Sequence, residues 1–180
     1  LFGDGAGAVV VQNRENPGLA EFLLGADGSN SDLLMVLGGG SRFPASRDTV
    51  AGGLHYISMD DGQAVFKEAV KWMTDVAIRL LQKAGLTNSQ GEVDPKKIDL
   101  VIPHQANIRI MRSVAKNLEI PEDKLVTNIE EYGNTSAASI PMAMYDAYHQ
   151  GRMHKDDIHV LLAFGGGLTY AGGVIQSHIE

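Results

Sequence analysis

Ile98-Asp99-Leu100-Val101-Ile102-Pro103-His104-Gln105-Ala106-Asn107 changes from apolar to polar at a single step. Residues 98–102 are short and mostly apolar, as in a strand buried on both faces. From about Ala106 to Leu118 the apolar residues fall at helical spacing, so the chain turns from strand to helix around His104. The alternation continues outward from this unit. On the N-terminal side Phe66, Ala69, Val70, Met73, Val76, Ala77, Leu80, Leu81 and Ala84 predict a helix over Gln63–Ala84, with Gly85 as its stop. On the C-terminal side we expect a short strand around Lys124–Asn128 and a helix over roughly Ser136–Gln150 that tolerates Pro141 in its first turns. A strand at His159–Phe164 and a final strand at Leu168–Gln176 close the pattern. Strands alternating with helices indicate α/β architecture with a sheet covered on both faces.

The N-terminal part is different. Residues 6–12 and 19–25 read as two strands joined by a turn at Asn16-Pro17-Gly18. Residues 26–61 are rich in Gly, Ser and Asp and read as a long surface excursion of the functional kind, with little regular structure. The chain opens on Leu1-Phe2-Gly3-Asp4-Gly5, without Met, directly into an apolar run. Termini are normally exposed and polar, so the expectation is a piece of a longer protein.

Bulk properties narrow the classes. A chain of 180 residues can bury a real core as one domain or two small lobes. A formal charge of -7 argues against nucleic acid or an anionic membrane as the main partner. No apolar run reaches the roughly 18 residues of a membrane span, and no signal peptide is read, so a cytoplasmic location is expected. Zero cysteine excludes disulfides, thiolate zinc sites and a thiol nucleophile within this chain. His149, His154 and His159 are five apart, off a common helix face, and suggest no metal site. Gly3, Gly5 and Gly7 are followed by neither a helix nor a phosphate-binding lysine, and no Gly-x-Ser-x-Gly elbow occurs.

Three motifs stand just past expected strands: His104, Asn134 in Tyr-Gly-Asn-Thr-Ser, and Gly165-Gly166-Gly167 after Phe164. Reacting groups in α/β sheets gather at the carboxyl ends of strands, so these loops can converge. A neutral imidazole donates one N–H and a carboxamide two. Aimed at one carbonyl oxygen, they stabilise the negative charge that forms there. The glycine turn lets backbone N–H groups approach a second oxyanion. Each motif also has a plainer reading. His104 fits a structural strand-end histidine, and Asn134 fits a left-handed turn or a helix cap, for which Ser136 is the better candidate. The glycines fit a hairpin, and we expect them to serve both purposes.

Leu-Phe-Gly-Asp-Gly-Ala at 1–6, Val-Phe-Lys at 65–67, Pro-His-Gln-Ala-Asn-Ile-Arg-Ile at 103–110, Gly-Asn-Thr-Ser-Ala-Ala-Ser-Ile-Pro at 133–141 and Ala-Phe-Gly-Gly-Gly at 163–167 together resemble the β-ketoacyl-acyl-carrier-protein synthase III family. They match its C-terminal half, in the family's order, across essentially the whole chain. The resemblance implies a thiolase-like fold in which two βαβαβαββ halves pack as αβαβα layers. Residues 1–25 would then be the final strands of the N-terminal half. Residues 26–180 would be the C-terminal half, including the loop at about 26–61.

The resemblance also implies a reaction without a cofactor or metal, in which acyl-CoA and malonyl-acyl carrier protein are substrates. An acyl group loaded on a cysteine of the N-terminal half is attacked by the carbanion left when malonyl-acyl carrier protein loses CO2, which initiates fatty acid synthesis. His104 and Asn134 match the residues that hydrogen-bond the malonyl thioester oxygen, and Gly166 matches the backbone donor of the oxyanion hole. Arg109 and Lys67 match basic positions that dock the acidic carrier protein. Arg112 and Lys116 extend Arg109 into a stripe at i, i+3 and i+7, which also fits a solvated helix face. The implied partners are acyl carrier protein, acyl-CoA and the N-terminal half, with a homodimer for the whole enzyme. The missing cysteine is the one departure, and alone the chain is expected to be inactive in condensation. Two rival readings are a starter synthase for a polyketide or quinolone and a non-catalytic half that binds carrier protein.

Overall fold

The protein is described by a computed structural model covering residues 2–13, 15, 18 and 20–179. In chain order its elements are β1 (Ala20–Ala26), β2 (Met35–Val36), α1 (Arg47–Ala51), β3 (Ile57–Ser58), α2 (Gly62–Lys83), β4 (Leu100–Pro103), α3 (Ile108–Asn117), α4 (Ile129–Tyr132), α5 (Ser139–His149), β5 (Ile158–Gly165) and β6 (Thr169–Gln176). Short 3-10 turns lie between several of them.

The main sheet runs β1-β6-β5-β4. β4 and β5 are parallel, with Val101 opposite Val160, so the chain between them must cross over the sheet. β5, β6 and β1 follow as antiparallel neighbours. Every residue of β4 is buried because its two faces meet different cores. Val101 packs with α2 and α3, among Met73, Leu80, Met111 and Val114. Leu100 and Ile102 face a smaller cluster with Ala143 and Ala147 of α5. This two-sided burial is why β4 is a continuous apolar run rather than an alternating one.

α2 forms where its apolar stripe predicts. Asp61 caps its start by accepting from the Gln63 and Ala64 N–H groups. At its end Leu86 N–H bonds to Leu81 O (2.9 Å) and Gly85 N–H to Gln82 O (3.1 Å). That Schellman closure needs a left-handed residue, which Gly85 supplies at φ +72. α3 begins at Ile108 rather than Ala106, because Asn107 is its cap and accepts from Arg109 N–H.

Three expectations are corrected. Residues 6–12 are irregular rather than a strand. Val10 is 97% exposed, and among the described residues no strand pairs with this run. β-propensity yields a strand only where an edge is available to pair. Asn16 and Pro17 of the expected turn lie outside the described residues. Around Lys124–Asn128 only an isolated bridge, Val101 to Leu125, forms. Beyond it the Gln105 side chain takes the place of a ladder, donating to Val126 O (3.2 Å) and accepting from Asn128 N–H (3.0 Å). The loop at 26–61 also has more structure than expected. It contains α1, closed by a Ser46–Thr49 capping box, and the small β2–β3 ribbon.

Among the described residues no helix is long and apolar enough to cross a membrane. Phe22 and Leu24 on β1, and Tyr145 and Tyr148 on α5, are exposed.

His159 of β5 is fully buried, and among the described residues neither ring nitrogen has a hydrogen-bond partner. Asp157 Oδ2 stands 3.8 Å from Nε2, outside hydrogen-bond reach. Burial pushes the imidazole pKa below its usual 6.5, opposed in smaller measure by Asp157 and Asp99. The folded chain therefore binds fewer protons than the unfolded chain below that value. Stability from this group is complete above about pH 6.5 and is lost as the pH falls toward the lowered folded pKa. We expect the urea midpoint to fall between about pH 7.5 and pH 5. His159→Gln should flatten that fall, and an unchanged slope in the variant would contradict the assignment.

Candidate active site

The site forms where β4 ends. His104 N–H donates to Leu162 O at 2.7 Å, which extends the β4–β5 pairing by one residue and holds the histidine at the sheet edge. Its ring Nδ1 lies 2.6 Å from Ser139 Oγ, the first residue of α5. Burial pushes the His104 pKa below its usual 6.5, so at neutral pH the ring is uncharged and carries a single N–H.

Asn134 is buried on the neighbouring loop. Gly133 turns the chain into it at φ +68, a conformation that favours glycine. The Asn134 carbonyl accepts from Gly3 N–H at 2.9 Å, and its Oδ1 accepts from Ser136 N–H at 2.9 Å. The acceptor is thus used locally, and Nδ2 remains as the donor. Ser136 does not cap α5. It sits at φ +53 in the 3-10 turn Ser136–Ala138 that precedes the helix.

Gly166 lies in the turn from β5 to β6, and its carbonyl accepts from Thr169 Oγ1 at 3.1 Å. Its N–H makes no hydrogen bond to a described residue. A Cβ there would come within 2.9 Å of Leu34 O, so the 26–61 loop approaches the bare backbone closely.

His104, Asn134 and Gly166 line one cavity of about 1100 Å³. Its other walls are largely apolar: Phe66, Met73 and Ile110 come from the helices, and Met35, Ile57 and Met59 from the loop. Apolar walls lower the local dielectric, which strengthens the hydrogen bonds that the donors make to a bound oxygen. Lys67 and Arg109 also line the cavity, and the Arg109 guanidinium lies 5.6 Å from the centre of the Phe66 ring. Arg112 and Lys116 do not line it. Arg112 is paired with Glu122 at 2.8 Å, and Lys116 sits in the last turn of α3. Among the described residues no group of three or more His, Asp or Glu is placed to hold a metal ion.

Two residues were not singled out by sequence reasoning. Ser139 bonds the His104 ring, and Gln105, fully buried, ties β4 to residues 126–128. For Gln105 a signal was available: a large amide directly after a buried strand needs several partners inside. Ser139 lies 35 residues from His104, and no local pattern links the two.

Comparison with known proteins follows the same lines. Residues 88–177 match the family described as 3-oxoacyl-[acyl-carrier-protein (ACP)] synthase III C terminal. The beta-ketoacyl-[acyl-carrier-protein] synthase III of Roseiflexus castenholzii is 48% identical over 177 residues, 98% of this chain and 51% of that protein. The corresponding protein of Clostridioides difficile is 46% identical over 176 residues, again 98% and 51%. The chain thus spans about half the length of the curated relatives it matches. The solved beta-ketoacyl-[acyl carrier protein] synthase III from Thermus thermophilus superposes with a TM-score of 0.77 at 35% identity, over 93% of this chain and 49% of that one. The fold is α/β and thiolase-like, and this chain belongs to the 3-oxoacyl-[acyl-carrier-protein] synthase III C-terminal family.

Proposed function

We propose that the chain is the C-terminal half of a cytoplasmic 3-oxoacyl-[acyl-carrier-protein] synthase III, which condenses malonyl-acyl carrier protein with an acyl group from acyl-CoA to initiate fatty acid synthesis. The observation that carries this reading is the convergence of a neutral His104, the Asn134 amide and the glycine turn on one apolar cavity. His104 and Asn134 donate to the malonyl thioester oxygen, so the enolate formed as CO2 leaves is stabilised where its charge develops. The Gly166 N–H donates to the oxyanion formed when the carbanion attacks an acyl thioester. That thioester sits on a cysteine of a preceding half, since this chain has none. No cofactor or metal takes part in these steps.

Residues 1–25 close the preceding half in this reading, and 26–180 make up the C-terminal half. The exposed side chains of Phe22, Leu24, Tyr145 and Tyr148 support a packing partner, as does the exposed run at Val9–Val11. Lys67 and Arg109 at the cavity are the docking positions for the acidic carrier protein. Arg112, held by Glu122, and Lys116 contribute at most long-range attraction. The whole enzyme is a homodimer.

The test is an assay for 3-oxoacyl-carrier protein from acyl-CoA and malonyl-acyl carrier protein. We expect product when this chain is joined to a cysteine-bearing half, and none from the chain alone. Full turnover by the chain alone would refute the need for an external cysteine. Carrier binding without any turnover in the joined protein would favour a binding module.

A further inference from the structure

Ser139 is 1% exposed, and its Oγ has two hydrogen-bond partners among the described residues. Gln105 N–H donates to it at 3.3 Å, and His104 Nδ1 lies 2.6 Å away. A hydroxyl has one proton to give and lone pairs to receive. If His104 carried its proton on Nδ1, Oγ would accept twice and its own proton would be left buried without an acceptor, which is costly. With the hydroxyl donating to Nδ1, every group in the triad is satisfied. We propose that Ser139 is a positioning residue that fixes His104 as the neutral tautomer with its proton on Nε2, the nitrogen that must donate to the substrate oxygen.

This inference rests on the decarboxylating role proposed for His104, and it supplies what that role lacks. An uncharged imidazole can be a donor or an acceptor at Nε2, and only the donor form stabilises an oxyanion. The bond to Nδ1 sets the form and also the ring's angle. Ser139 can do this because it stands at the first turn of α5, which packs on the face of β4 opposite α3. Its side chain reaches His104, and the N–H of the neighbouring Gln105 donates to the same hydroxyl oxygen.

Long-range proton–nitrogen NMR of the full-length polypeptide labelled with 15N-histidine reads the tautomer directly, with the His104 signals assigned by their loss in His104→Ala. We expect a protonated Nε2 and a bare Nδ1 in the wild type. In Ser139→Ala the proton should redistribute toward Nδ1, and malonyl decarboxylation should fall by ~10- to 100-fold through loss of ring placement. Ser139→Thr keeps the hydroxyl and should restore both readouts. A wild-type spectrum with the proton on Nδ1 overturns the proposal, whatever the variants do. So does a Ser139→Ala protein with a wild-type spectrum and rate. If the spectrum is as expected but no malonyl thioester is decarboxylated, the functional reading fails and the assignment to Ser139 stands.

Discussion

His104→Ala is expected to slow malonyl-acyl carrier protein decarboxylation by at least on the order of a hundredfold to a thousandfold, the usual cost of losing one oxyanion donor. Acyl transfer from acyl-CoA to the preceding half's cysteine should be largely retained. The division follows from geometry. The His104 ring is neutral because it is half-buried, and it lines the cavity with Asn134, whose Oδ1 is already bonded to Ser136. With Asn134 left only its Nδ2 donor and His104 donating from Nε2, both assist a step in which a substrate oxygen gains negative charge. In the proposed reaction, acyl loading develops its charge at the cysteine's oxyanion hole, where Gly166 is the proposed donor. Measuring CO2 release and radiolabelled acyl-enzyme in the same preparation separates the two steps. Equal loss of both would show that His104 serves the cysteine as well, and the assignment would fall.

Gln105→Leu is expected to cost about 3 kcal/mol of folding stability or more. The leucine matches the glutamine in size but offers no polar atoms. Pro103 O, Val126 O and Asn128 N–H would each lose the partner that Gln105 gives them at 2.8, 3.2 and 3.0 Å. Each buried group left unpaired costs roughly 1–3 kcal/mol. The damage should spread, since Asn128 Nδ2 also bonds Asp146 Oδ2 of α5 at 2.8 Å and so links the same segment to that helix. Urea denaturation at neutral pH measures the loss. A change below about 1 kcal/mol would mean that water or a backbone shift replaces the side chain.

Gln105 also shows why one expected strand failed. Residues 124–128 have the composition of a strand, and β4 is near enough for Val126 N–H to bond Val101 O at 2.9 Å. The ladder stops there because the next backbone groups are taken by a side chain. Sequence periodicity records side-chain burial and not which atoms satisfy the backbone. Residues 6–12 failed in the opposite way, with strand-like side chains and no strand to pair with among the described residues. The loop at 26–61 was legible as a long excursion, but not as a wall of the cavity. Met35, Ile57 and Met59 are isolated apolar residues in a polar stretch, and only the folded path brings them over the site.

The sequence by itself determined the α/β alternation, the long helix α2 with its glycine stop, and two motifs at strand ends, His104 and the glycine turn; Asn134, expected after a strand, follows the short helix α4 instead. All of these rest on local spacing and on residue types with few alternatives. Family resemblance gave His104, Asn134 and Gly166 their expected roles. Only the tertiary structure decided that the three share one cavity, that Lys67 and Arg109 reach it while Arg112 turns to Glu122, and that Ser139 holds the His104 ring. These are contacts between residues distant in the chain. They are set by how α5, β4 and α3 pack on opposite faces of one sheet, and no local pattern encodes a distance across that packing.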